Sequence, residues 1–416
     1  MRFVEPSRVE GRLPAPPSKS AMQRLVAAAS LADGVTTIDN PSRCEDSLAT
    51  IGIAAALGAR IDARADRVTI EGGRLEEPRG ALDCGESGLG LRMFTAIAAL
   101  GREEVVLFGH GSLLARPVAM MEGPLTALGV ACRTRGGLPP VSVRGPMRGG
   151  RIEVDGSASS QFLSGLILAL PRCEADSEIR VTRLRSAPYA RMTLSVARQF
   201  GAEIETSDDC SRIAVRGGQG YRAIACRVEG DWSGAAFLLV AGALAGRVTV
   251  TGLDPGSLQA DVAILEALRR AGARVEQAGE TVTVERRDLD AFTFDATDCP
   301  DLFPPVAALA CHCRGTTVVK GATRLRGKES DRAATLSTEL SRMGALVRVE
   351  GDEMAITGGS WREATVDPHG DHRIAMACAT AALATTKGVG IANPECVRKS
   401  YPGFFDDLAT LGGRVR

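Results

Sequence analysis

The sequence predicts an α/β protein of two domains, each built from three βαβ-containing repeats packed around buried helices. Three observations lead there. A phrase of hydrophobic residue, Gly, small residue and strand recurs six times, as "LGARID", "LGVACR", "FGAEIE", "AGARVE", "MGALVR" and "LGGRVR". Its glycines, Gly58, Gly129, Gly201, Gly272, Gly344 and Gly412, lie 71, 72, 71, 72 and 68 residues apart, the spacing of a repeated supersecondary unit. Six Ala- and Leu-rich segments are apolar on nearly every side, as a helix enclosed by other structure must be. Finally, a chain of 416 residues is longer than one core usually grows, so six units divide into two sets of three.

Each unit opens on a β-rich phrase: "VTTIDN", "EVVLFG", "EIRVTRL", "RVTVTGL", "TTVVKG" and "GVGIAN" in turn. A turn and an amphipathic helix then lead to the repeated Gly, which suits the left-handed position after a helix's last turn. A strand pair follows. Next comes the buried helix: "SAMQRLVAAASLA", "SGLGLRMFTAIAAL", "SSQFLSGLILAL", "WSGAAFLLVAGALA", "LFPPVAALACHC" and "HRIAMACATAALA".

The sixth unit stops at "LGGRVR" without a following strand, so the N-terminal "MRFVEP" is expected to supply it. The second domain is then discontinuous, with residues 15–226 forming the first domain and 1–14 plus 227–416 the second. The chain crosses near "LPAPPSK" and again between Arg222 and Gly230, which predicts a hinge and an active site in the interdomain cleft.

Lys plus Arg equals Asp plus Glu at 50 each, and aromatics make up 4% of residues. Neither a global field nor a stacking platform points to nucleic acid or membrane. Partners are therefore sought among small molecules at a local site. Eleven scattered cysteines suggest reduced thiols in a cytoplasmic protein. "CHC" at Cys311–Cys313 has no second ligand pair nearby, so no metal site is expected. The N-terminus has no apolar signal region, and runs such as "LILALP" are too short to span a bilayer.

The buried helices begin alike. The starts are "PPSKSAMQR" with Lys19, Ser20 and Arg24, "GESGLGLR" with Ser87, Gly88 and Arg92, and "GSASSQF" with Ser159, Ser160 and Gln161. The fifth begins "DCPDLF" with Asp301 and the sixth "GDHR" with His372 and Arg373. Small residues and Ser at a helix start present N–H groups to anions. "RLRGKESDR" adds Arg324, Lys328, Glu329 and Arg332 before another helix. Like charges four apart at a helix start repel, so a multiply charged anion is expected between Lys328 and Arg332. Any one of these motifs alone is consistent with solvated charge. Their recurrence at equivalent places is what points to a site.

"PPSKSAMQR", "VDGSASSQF", "SAPYARMTL", "LRGKESDR", "GDHRIAMA" and "RKSYPGFFDDL" resemble the signature segments of the EPSP synthase family, in order from about residue 5 to residue 412. The resemblance implies an inside-out α/β barrel in each domain, with three repeats around parallel buried helices, as in enolpyruvyl transferases. It further implies transfer of the enolpyruvyl group of phosphoenolpyruvate to the 5-hydroxyl of shikimate 3-phosphate, without metal or organic cofactor, in a monomer. Lys19, Gly88, Arg116, Gln161, Arg332, Arg373 and Lys399 match the family's phosphoenolpyruvate-binding positions. Lys19, Ser20, Arg24, Ser159, Ser160, Gln161, Ser186, Tyr189, Asp301, Arg324 and Lys328 match contacts to shikimate 3-phosphate. Asp301, Glu329 and Lys19 are the implied catalytic groups, with Asp301 as base toward the hydroxyl and Glu329 exchanging the methylene proton, shared with Lys19.

Three departures stand out from that pattern. Glu86 stands where the family usually has Asn, Leu89 where it usually has Thr, and Arg324 where a neutral Asn is frequent. A carboxylate beside a bound dianion must be turned away, paired or protonated. Glu86 and Leu89 keep open an enolpyruvyl transferase with another cyclic acceptor. A UDP-sugar acceptor is disfavoured by the "SKS", "SSQF" and "KESDR" phrases. His372 is expected to order its helix start rather than act as a base.

Overall fold

The computed structural model describes residues 1–157 and 159–416; Ala158, inside the quoted "VDGSASSQF", lies outside the described residues. The chain divides into two compact units, Lys19–Val228 and Met1–Ser18 together with Glu229–Arg416.

All six repeated glycines have positive φ, from 83° at Gly129 to 116° at Gly344. Each therefore turns the chain out of a helix in a conformation that a side chain would strain. Before each buried helix runs a short strand that the sequence pattern had not singled out; in four of the six units it pairs in parallel with the strand that leaves the same helix. Arg151–Asp155 pairs with Ser177–Thr182, placing Ile152 opposite Ile179. Thr293–Asp295 pairs likewise with Thr316–Lys320, whereas at the two chain crossings the partners are exchanged: Val9–Pro14, ahead of helix Lys19–Leu31, pairs with Gly246–Thr251, which leaves helix Trp232–Ala245, and Ala225–Arg227, ahead of that helix, pairs with Ala32–Asp39. The leaving strand then meets a hairpin strand in antiparallel fashion, as Val248 opposite Val284.

Five of the six sheets have four strands in this order, and the first has five because Tyr221–Arg222 and Ala225–Arg227 both lie along Ala32–Asp39. Strand Arg2–Glu5 completes the last sheet, with Arg2 opposite Ile391 and Val4 opposite Val415. That is the place the incomplete sixth unit left open.

The helices Lys19–Leu31, Gly88–Ala98 and Gln161–Ala169 occupy the middle of one unit. Trp232–Ala245, Phe303–Ala310 and His372–Ala382 pack on one another in the other. Every residue of Trp232–Ala245 is buried. Sheets and neighbouring helices enclose them, which is why their sequences carry no polar face. The outer helices are less equal than the repeats suggest. Glu45–Ala56, Ala187–Gln199 and Arg332–Met343 run 12, 13 and 12 residues, whereas Glu122–Ala127 and Phe404–Thr410 run 6 and 7. Pro124, and Pro402 with Gly403, fall where a longer helix would have to begin.

Helices Gly88–Ala98 and Gln161–Ala169 touch at Gly165, where an added Cβ would lie 2.6 Å from the Met93 carbonyl oxygen and 2.8 Å from its Cα. Backbone cannot retreat as a side chain can. Gly165→Val should therefore cost about 1–3 kcal/mol or more through overpacking. A lowered unfolding midpoint in denaturant, with unchanged slope, checks this; an unchanged midpoint would show that the helices can separate freely.

Candidate active site

In the unit Lys19–Val228 the first turns of the three buried helices meet. Gln23 Nε2 donates to Ser87 Oγ at 2.6 Å and Thr50 Oγ1 at 2.8 Å, and Ser87 Oγ caps its own helix by accepting from the Gly90 amide. Arg92 Nη1 donates to Gln161 Oε1 at 2.8 Å, joining the second helix start to the third. Arg24 ties the first to the third: Nε donates to Thr193 Oγ1 at 2.8 Å and Nη2 to Ser164 Oγ at 3.3 Å. Its Nη1 donates to the Ser20 carbonyl, and its guanidinium lies 5.9 Å from the centre of the Tyr189 ring. Burial lowers the Arg24 pKa to about 10, against an opposing contribution from Tyr189. It stays cationic at neutral pH.

Lys19 opens its helix with Nζ 3.0 Å from Asp46 Oδ2. The buried Arg116 guanidinium lies against Gly88, where a Cβ would stand 2.6 Å from Cζ. Ser159 Oγ accepts from the Gln161 amide, and the buried Ser160 precedes it. Ser186 holds a left-handed φ of 59° at the start of Ala187–Gln199, and its carbonyl accepts from the Tyr189 amide. Leu89 is buried in the core. The departure from Thr at this place thus adds apolar packing.

The second unit gathers charge at its helix starts. Asp301, just ahead of Phe303–Ala310, has Oδ1 3.0 Å from Arg332 Nη1 and 3.7 Å from Lys328 Nζ, and Oδ2 3.2 Å from Arg373 Nη2. Glu329 Oε2 accepts from Arg332 Nη2 at 2.7 Å. Asp371 caps the helix His372–Ala382 through the Arg373 amide and also accepts from Arg332 Nε at 2.9 Å. Three cations thus face three carboxylates.

Burial pushes the Asp301 carboxyl up, but Arg373, Lys328 and Arg332 together hold it well below the usual carboxylate range. Arg332 is fully buried, and the same carboxylates raise its pKa despite the opposing cost of burial. The helix itself begins at Arg332, with Asp331 accepting from the Ala334 amide as N-cap. Lys328 precedes it, so the helical i, i+4 repulsion expected from the sequence does not arise. The negative charge beside Arg332 is supplied by the chain's own carboxylates.

Lys399 is buried at the end of the turn Pro394–Lys399, which packs on helix His372–Ala382. Arg324 sits in the turn Ala322–Leu325, and His372 is buried at the first position of its helix. Cys311–Cys313 lie apart from these groups. His312 stacks on Trp361 with ring centres 4.5 Å apart, and burial pulls its pKa down to about 4. Among the described residues no group of three or more His, Cys, Asp or Glu could hold a metal ion, and no helix is long and apolar enough to cross a membrane. A concavity of about 1510 Å³ lies where the three buried helices of this unit end, at Ala245, His312 and Leu383. Arg8, Arg247, Arg286 and Arg314 line it, matching the negative ends of those helices.

Gln23, Asp46, Asp261 and Asp371 are groups that sequence reasoning missed. Asp371 was in view within "GDHR", where an Asp before a helix is a capping signal. Asp261 gives no such signal, being distant in sequence from the groups it meets. Its buried carboxylate accepts from Ser233 Oγ beside the start of Trp232–Ala245. Burial and then the Asp301 charge raise its pKa from 3.8 to about 6, against Arg373.

A carboxyl whose pKa is raised on folding contributes stability fully below its unfolded value and loses it as pH rises through the folded one. Asn does not titrate. Asp261→Asn should therefore gain stability relative to the parent between about pH 4 and pH 7, as melts at both ends of that window would show. A constant difference would mean that Asp261 is ionised throughout.

The chain matches the family model described as EPSP synthase (3-phosphoshikimate 1-carboxyvinyltransferase) over residues 4–408. It is 39% identical to the 3-phosphoshikimate 1-carboxyvinyltransferase of Methanocorpusculum labreanum, across 100% of this chain and 99% of that one. It is 41% identical to the enzyme of the same name from Methanocella arvoryzae, over 99% of each. Among solved structures it resembles EPSP synthase from Acinetobacter baumannii with a TM-score of 0.83 at 27% identity, covering 100% of this chain and 99% of that one. The enolpyruvyl transferase NikO from Streptomyces tendae shares the fold, with a TM-score of 0.82 at 18% identity over 100% and 98% of the two chains.

Proposed function

The chain belongs to the EPSP synthase family, and on that premise we propose how its two clusters of helix starts divide the family's reaction between them. The activity is transfer of the enolpyruvyl group of phosphoenolpyruvate to the 5-hydroxyl of shikimate 3-phosphate, giving 5-enolpyruvylshikimate 3-phosphate and phosphate, a step of chorismate and aromatic amino acid biosynthesis. The observation that carries the assignment of roles is the Asp301 carboxylate, kept ionised by three cations.

In this reading, Ser20, Arg24, Ser159, Ser160, Gln161, Ser186 and Tyr189 receive shikimate 3-phosphate, with Arg324 and Lys328 from the other unit. Lys19, the Gly88 amide, Arg116, Arg332, Arg373 and Lys399 receive phosphoenolpyruvate. Residues of both units then serve the same two substrates.

Asp301 takes the proton of the 5-hydroxyl while the oxygen bonds to C2 of phosphoenolpyruvate and C3 gains a proton from Glu329, shared with Lys19. The tetrahedral adduct then returns a proton from C3 to Glu329 as the bond from C2 to the phosphate oxygen breaks and phosphate leaves. Atoms and electrons balance without a cofactor. A carboxylate pulled so low is a weak base in the empty site. Arriving substrate anions neutralise Arg373 and Lys328, which lets Asp301 rise toward a useful base. We also read the protein as a cytoplasmic monomer. Its eleven cysteines are all free, and eight are buried, as suits a reducing compartment.

Turnover in deuterium oxide tests the route. Addition and elimination place deuterium at C3 of the product and of recovered phosphoenolpyruvate. Product with an undeuterated methylene would exclude protonation at C3.

A further inference from the structure

Glu86 introduces a carboxylate beside the expected phosphoenolpyruvate position, and the structure gives that carboxylate another partner. Its Oε2 accepts from the backbone amide of Ser112 at 2.9 Å and from Ser112 Oγ at 2.6 Å. Ser112 is the second residue of the short helix Gly111–Ala115, whose C-cap is Arg116. Gly111, at φ 50°, lies directly on Glu86, since a Cβ there would come within 2.5 Å of the Glu86 Cδ. The loop is pinned on the same side where the His110 amide donates to the Gly85 carbonyl at 2.8 Å. Arg116 closes the circuit by lying against Gly88, two residues from Glu86.

We propose that Glu86 is a positioning residue that clamps the loop of residues 111–116 and so sets the Arg116 guanidinium beside the Gly88 amide, where an anionic group of phosphoenolpyruvate binds. Two hydrogen bonds to one ionised oxygen are of the strong, charge-assisted kind. The clamp acts before substrate arrives, so it removes part of the cost of ordering a loop on binding. The proposal rests on the reading of Arg116 under the proposed function, but the clamp itself does not.

The test combines hydrogen exchange with steady-state kinetics on the full chain, comparing the parent, Glu86→Gln, Glu86→Ala, Ser112→Ala and the double variant Glu86→Ala/Ser112→Ala. In Glu86→Ala, amide exchange across residues 111–116 should rise at least about tenfold at an unchanged melting temperature. The KM for phosphoenolpyruvate should rise by roughly ten- to a hundredfold, while kcat and the KM for shikimate 3-phosphate stay within about twofold. Glu86→Gln keeps an acceptor for the Ser112 amide and should recover most of the loss. The double variant should be no worse than Glu86→Ala alone, because both act through one contact.

Unchanged exchange in Glu86→Ala would overturn the clamp. Faster exchange with an unchanged or lower KM for phosphoenolpyruvate would overturn the positioning of Arg116 for that substrate and make Glu86 a bystander or its competitor. Faster exchange in a protein whose parent form turns nothing over would leave the clamp standing and overturn the assigned activity instead.

Discussion

Asp301→Asn is expected to lower kcat by about a thousandfold, within the range that a positioned general base contributes, without weakening the binding of shikimate 3-phosphate. The carboxylate is held by Arg332, Arg373 and Lys328 at 3.0, 3.2 and 3.7 Å. Asn is close to isosteric and can still accept from one of them. What it cannot do is take a proton from a hydroxyl. Removing one of three carboxylates also leaves the cluster one unit more positive, so the anionic substrates should bind as tightly or more tightly. A calorimetric titration with shikimate 3-phosphate, set beside kcat, separates the two effects. A raised dissociation constant with kcat preserved would make Asp301 a binding group and leave the base to be found elsewhere.

Arg332→Met is expected to damage stability as well as turnover. The guanidinium is fully buried and donates to Asp301, Glu329 and Asp371, of which Asp371 is itself fully buried. Methionine fills similar volume but leaves those carboxylates facing one another. Breaking a buried pair in this way costs about 3–5 kcal/mol at neutral pH. The cost should be smaller in acid. Without the cation, Asp301 loses one of the three charges that hold its pKa down, so the variant keeps less of the stability that the parent gains as pH rises and the gap between them widens. Denaturant midpoints at about pH 5 and pH 8 measure that gap; a gap independent of pH would mean that the carboxylates find other partners.

Much of the fold was legible because the repeat is written in backbone chemistry. A glycine that must take positive φ, and a helix with no polar face, leave marks that survive divergence in every other residue. The short strands such as Leu82–Asp83 and Ala364–Val366 left none. With two or three residues each, they carry too little alternation to distinguish strand from turn. Helix lengths also escaped where Pro124 and Pro402 override the repeat.

The candidate site was legible as an inventory of cations and serines at helix starts, but its charge balance was not. Lys328 and Arg332 read as an open anion trap because their partners lie far off in sequence: Asp301 is 31 residues before Arg332 and Asp371 is 39 after it. Pairings of that range are set by the packing of three helices, which no local pattern records. The same holds for Glu86, whose meaning depends on Ser112, 26 residues away.

The measurement that bears most directly on the central claim is phosphate release from the purified protein given phosphoenolpyruvate and shikimate 3-phosphate together, followed with the product mass and repeated with each substrate alone. Release only in the mixture, matched mole for mole by the carboxyvinyl ether and reduced about a thousandfold by Asp301→Asn, is the predicted result. A folded protein that releases no phosphate from that mixture, or releases it without shikimate 3-phosphate, would contradict it and turn the search to other hydroxylated acceptors.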